Sequence, residues 1–114
     1  MDKAIMKEMV TDFVAKLQVK LTEYYTKKFP TLTEGKLEVK FGRRYAKLST
    51  QSSVYCFVDM TNGDVLKAAT WRAPAKHARG NLFAPDGGMG CMGPYGAAYM
   101  DTHGSLELGR YGWS

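Results

Sequence analysis

Between residues 67 and 81 the chain reads KAATWRAPAKHARGN, which gathers Lys67, Arg72, Lys76, His77 and Arg79 around one tryptophan and one proline. Fixed positive charges of this kind bind anions, and guanidinium and ammonium groups pair well with phosphate oxygens. A second basic cluster, Arg43, Arg44 and Lys47, surrounds Tyr45. An aromatic ring among cations suits a single nucleic-acid strand, whose bases stack while its phosphates meet the charge. The plainer alternative is a solvated basic loop, with Tyr45 packed in a strand and its arginines facing water; for Tyr45 the plainer reading is preferred. His77, beside Lys76 and Arg79, has the general acid–base character that ribonuclease chemistry uses. No second histidine or carboxylate stands in a persuasive relation to it, so a structural His77 is the expectation.

The charge distribution separates these readings. The net charge is +5, yet residues 36–83 alone carry nine Lys and Arg against Glu38, Asp59 and Asp64. The flanking segments are close to neutral or acidic. A localised basic surface implies a polyanionic partner more strongly than diffuse positive charge does. Other chemistry is missing from the pattern. There is no phosphate loop, no dinucleotide fingerprint and no nucleophile elbow. Two cysteines and two histidines without metal-ligand spacing predict neither a disulfide framework nor a structural zinc. The expectation is a protein without catalytic residues, metal or cofactor. The charged, periodic start is no signal peptide, and no apolar run is long enough for a membrane span, so a cytoplasmic location follows by default.

These residues need a scaffold, and the length of 114 residues suggests one domain. From Met6 to Tyr25 the apolar residues Met6, Met9, Val10, Phe13, Val14, Leu17, Leu21, Tyr24 and Tyr25 recur at helical spacing. Asp2 is placed as an N-cap, and Lys27 and Lys28 favour the negative end of the helix dipole. The spacing predicts a helix over 3–28. From residue 36 the period changes to two. Leu37, Val39 and Phe41 alternate with charges, and Gly42 interrupts them as a bulge or bend. SVYCFVDM is apolar on both faces and predicts a central strand. Asn62–Gly63 predicts a two-residue type I′ hairpin turn into DVLKAATW. Lys76–Arg79 then reads as a tight basic turn, with Gly80 allowing a positive φ or a close backbone approach. The whole predicts an α+β, mainly β domain over 1–83: a helix and then about four strands in a small, strongly bent antiparallel barrel. Residues 84–114 form a glycine-rich extension whose composition resists regular structure, and SLELGRYGW within it is either a last edge strand or a tail.

The stretch ARGNLF at 78–83 resembles the second signature of Sm and Sm-like proteins, a hydrophobe-Arg-Gly-Asn turn between the last two strands of a bent barrel. DMTN at 59–62 is a partial echo of the first signature. The chain also resembles a group of small marine-phage (cyanophage-like) proteins carrying F-V-D-x-T-x-G-D and then A-P-A-K-H-x-R-G-N, a match that covers roughly 54–83. The resemblance implies a non-enzymatic homo-oligomeric ring of five to seven subunits, five favoured. It implies single-stranded RNA or DNA bound by Arg79, Gly80, Asn81 and Asn62, with Arg72, Lys76, His77, Arg43 and Arg44 extending the basic track. It places the protein in the cytoplasm of an infected bacterial host. The alternatives are a phage structural or host-interaction protein without a nucleic-acid role, and a small nuclease using His77.

Overall fold

Asp2 opens the one long helix among the described residues, α1 (Lys3–Lys28), by accepting a hydrogen bond from the Ala4 amide on its carboxylate at 2.8 Å. The helix buries Met6, Val10, Phe13, Leu17 and Leu21 in one stripe, while Met9, Val14 and Tyr25 pack at its margins. Each fully buried large side chain contributes roughly 2 kcal/mol before entropy is charged against it. No helix of this computed structural model, which describes residues 2–28, 36–50, 53–93 and 96–97, is long and apolar enough to cross a membrane.

Five strands follow: β1 (Glu38–Phe41), β2 (Tyr45–Ser49), β3 (Val54–Asp59), β4 (Asp64–Ala68) and β5 (Pro74–Asn81). They pair antiparallel in the order of the chain, so β3 is central and β1 and β5 are edges. The architecture is therefore α+β, as the change of period predicts. The cross-strand pairs Ala46↔Val58, Leu48↔Cys56 and Val58↔Val65 align the apolar residues that meet α1. The chain Lys47↔Phe57↔Leu66↔Ala78 defines the opposite face. Both faces of β3 are buried, which accounts for its lack of alternation.

Four details depart from the sequence expectation. The sheet is open among the described residues, because β1 and β5 do not pair and no closed barrel forms. Gly42, expected to bend one long strand around a barrel, instead takes part in a chain reversal: its amide donates to the Tyr45 carbonyl at 2.8 Å, with Arg43 and Arg44 at the apex. Closure loses the bent strand it needed. The β3–β4 connection is not a type I′ turn, for only Gly63 has positive φ, at 82°. It is a four-residue loop, Met60–Gly63, whose Asn62 and Gly63 amides both donate to the Asp59 carbonyl.

The fourth departure concerns the basic segment. Lys76–Arg79 is not a turn between two strands but the middle of the single edge strand β5. The reversal comes earlier, at Ala69–Ala73, where the Ala69 and Thr70 amides donate to the Ala73 carbonyl. Pro74 suits the first position of an edge strand, since it has no amide to donate to a ladder. The register Val65↔Gly80 and Leu66↔Ala78 leaves Arg79 as an extra residue, and a second irregularity lies between Leu66 and Ala68. Bulges of this kind re-aim side chains and shorten the pairing surface of an edge.

The glycine-rich segment, as far as it is described, folds back onto the sheet. A short 3₁₀ turn at Met89–Cys91 leads into β6 (Met92–Gly93), which pairs with β7 (Gly96–Ala97). Cys91, Met92 and Ala97 are buried in the same core as the helix stripe. Composition alone missed this because glycines on both sides of the contact serve close packing. A Cβ on Gly88 of the segment would lie 3.2 Å from a Val65 methyl, and one on Gly80 of β5 would lie 2.8 Å from the Cys91 sulfur. The expectation of a close backbone approach at Gly80 is met, without positive φ. SLELGRYGW lies outside the described residues.

Candidate nucleic-acid interface

The two ends of the sheet hold the residues singled out above. At one end lie the β1–β2 and β3–β4 turns and the last residue of β5. Asp59, 3 % exposed, accepts from the Thr61 amide at 2.9 Å, the Thr61 hydroxyl at 2.6 Å and Arg44 Nη2 at 3.0 Å. Burial opposes its charge, but the Thr61 and Arg44 contacts outweigh burial and hold the carboxyl below the usual carboxylate range. Arg44 therefore leans on Asp59, while its guanidinium carbon lies 5.2 Å from the Tyr45 ring centroid.

Asn62 and Asn81, distant in sequence, meet at this same end. The Asn81 side-chain amide donates to the Asn62 carbonyl at 3.0 Å and to Asp64 Oδ1 at 2.9 Å, and its side-chain oxygen accepts from the Phe83 amide at 2.7 Å. The Asn62 side-chain oxygen accepts from the Asp64 amide at 2.9 Å. The structure thus brings together the two asparagines of the resemblance: the Asn81 side chain clasps the hairpin loop to β5, and the Asn62 side chain braces the loop itself. Gly63 supplies the left-handed residue that closes the loop under the Phe83 ring.

Along β5 the cations diverge. Lys76 and His77 are exposed, and Arg72 is exposed in the preceding turn. Arg79, at the bulge, is half-buried and donates to the His77 carbonyl. Burial lowers the pKa of Arg79, and burial together with the nearby Arg79 charge lowers that of Lys67. Lys67 also donates to the Ala97 carbonyl at 3.0 Å, tying β4 to β7. Arg43 is exposed at the apex of its turn. His77 has no carboxylate or second histidine hydrogen-bonded to it among the described residues. Three or more groups that could hold a metal ion do not gather anywhere among them.

The opposite end carries a feature that residue types alone did not reveal. Trp71 is 52 % exposed at the β4–β5 turn. The Lys47 ammonium reaches across from β2 to lie 4.0 Å from its ring centroid. Tyr45 packs edge-on against Phe57 at 6.2 Å between centroids, so Tyr45, Lys47 and Phe57 form one patch on the face away from α1. Cation over ring is a favourable arrangement, and it holds two side chains in place at the surface. The signal in the sequence was the two-residue period of Tyr45, Lys47 and Ser49; the register needed to reach Trp71 was not there.

The fold and site together define an α+β protein with a helix-backed antiparallel sheet and a basic, aromatic outer face. The chain belongs to a family of unknown function (DUF7717), which matches residues 1–98. Comparison with curated proteins and with solved structures gives no match.

Proposed function

We propose that this protein is a non-enzymatic, Sm-like, phage-type protein that binds single-stranded RNA or DNA as a homo-oligomeric ring. One observation carries the reading: on the sheet face away from the helix, cations lie over aromatic rings, Lys47 over Trp71 at 4.0 Å and Arg44 over Tyr45 at 5.2 Å. Such a surface offers charge to a phosphodiester chain and flat rings to its bases, the combination that single-strand binders share. Arg43, Arg72, Lys76 and His77 flank it as exposed groups that add positive charge or a polar edge. Arg79 contributes through the local field, being half-buried against Lys67. Asn62, Gly80 and Asn81 serve the loop and strand that carry these groups.

Among the described residues β1 and β5 are open edges, the surfaces through which copies would pair, and Pro74 and the bulges of β5 confine that pairing to a short stretch. A ring multiplies one modest contact per subunit into several per assembly.

Fluorescence anisotropy with labelled single-stranded oligonucleotides, titrated across salt, tests the binding. The logarithm of the affinity is expected to fall linearly with the logarithm of salt, by about 0.7 for each phosphate contact. Arg79→Ala is expected to weaken binding and shallow that slope in a folded protein. Absence of binding at low salt overturns the reading and favours a protein partner with an acidic surface. Light scattering that returns the monomer mass, with and without oligonucleotide, removes the ring.

A further inference from the structure

The sheet end that carries Trp71 also holds an open cleft of about 290 Å³, lined by Ser53, Val54, Ala68, Ala69, Thr70 and Trp71. Its volume lies just under the lower end of the range for small-molecule sites, which fits one planar ring better than an extended ligand. Val54, Ala68 and Ala69 line it beside the Trp71 indole, and among the described residues no carboxylate lines it. The Thr70 hydroxyl oxygen accepts from the Arg72 amide at 3.2 Å and the Ala73 amide at 3.1 Å. Those two bonds use the oxygen as an acceptor and leave the hydroxyl proton to be donated. Lys47 lies over the Trp71 ring but does not line the cleft. The ammonium and the cleft therefore share one indole.

We propose that this cleft is a nucleobase subsite. One base of a single strand stacks on the cleft side of Trp71 and accepts a hydrogen bond from the Thr70 hydroxyl. The adjoining phosphate rests on Lys47. Charge complementarity selects the occupant, because the charge that lies over the Trp71 ring is the Lys47 cation and a base within a strand arrives with a phosphate attached. An apolar peptide side chain would fill the same space and gain nothing from Lys47. The proposal rests on the single-strand reading above and adds the residue that touches the base.

The protein has two tryptophans, Trp71 and Trp113, so Trp113→Phe leaves Trp71 as the sole reporter. This variant is titrated with an oligothymidylate of about a dozen nucleotides, within the span that single-strand binding folds cover. A parallel titration uses an abasic deoxyribose-phosphate oligomer of equal charge. The oligothymidylate is expected to quench Trp71 emission and the abasic oligomer to leave it unchanged. Trp71→Ala is expected to weaken oligothymidylate binding roughly ten- to a hundredfold while sparing the abasic oligomer. Because Trp71 is half-exposed in a turn, its removal leaves the fold intact, which a thermal melt verifies. Binding without quenching, and with Trp71→Ala unaffected, overturns the subsite and leaves the general reading standing. Binding of neither oligomer overturns both.

Discussion

The two ends of the sheet spend their polar groups differently. At the end bearing Asn62 and Asn81, carboxylates and amides bond to backbone and to one another, so that Asp59, Asp64, Asn62 and Asn81 close two turns onto a strand. At the end bearing Trp71, an indole, an ammonium and an open cleft face solvent. The signature resemblance, carried by Asn62 and Arg79–Asn81, made the first end look like the binding site. The geometry shows its side chains engaged in holding the hairpins, and finds uncommitted recognition groups at the other. Polar residues near one another are evidence for a site only when some of their bonds remain to be made.

Substitutions can break this contrast or sharpen it. The largest effect is expected for Asp59→Ala, which strips partners from the Thr61 amide and hydroxyl and from Arg44; a loss of about 2 kcal/mol in urea unfolding follows from bonds to a charged acceptor. Asn81→Ala removes three hydrogen bonds at the same end and is expected to cost about 1 to 2 kcal/mol, with oligonucleotide affinity unchanged in the folded protein. A large drop in affinity from Asn81→Ala, without loss of stability, would return the binding role to that end. Trp71→Ala should behave in the opposite sense, shifting stability by no more than about 0.5 kcal/mol while affinity falls.

Acid provides a finer probe of the closed end. The Asp59 carboxyl titrates lower in the folded protein than in the unfolded chain, so the folded state favours its ionised form. Its contribution is complete above the unfolded value, about pH 4, and is lost as pH falls through the folded value. Stability measured against pH below 4 should therefore decline less steeply in Asp59→Asn than in the parent. Identical slopes would mean that Asp59 carries no linkage.

Much of the scaffold was legible in the residues. Helical spacing from Met6 to Leu21 and the Asp2 cap define α1, because an amphipathic stripe and a capping carboxylate act locally. The doubly apolar run ending at Asp59 marks the central strand for the same reason. What was not legible depends on pairing across the chain. Gly42 is compatible with a bulge or a reversal, and only the Phe41↔Ala46 register decides between them. Arg79–Asn81 matches a turn signature in residue type, yet the pairs Val65↔Gly80 and Asp64↔Asn81 draw it into a strand. Tyr55, the extra residue of a β2–β3 register shift, joins the helix-side core and donates to the Gly93 carbonyl, a contact that alternation would have assigned to the other face. The candidate site was half visible: its cations and aromatic rings could be named, but the pairing of Lys47 with Trp71 across the sheet could not.

The sulfur chemistry of the core has a practical sequel. Both thiols are shielded, Cys56 under the sheet and Cys91 against Gly80, and burial pushes Cys56 far up and Cys91 up to about 11. An alkylating reagent at neutral pH meets neither sulfur as a ready thiolate in the folded chain. Labelling kinetics would consequently time the lifting of the glycine-rich segment from the sheet, with Cys91 modified before Cys56 if that segment detaches ahead of global unfolding.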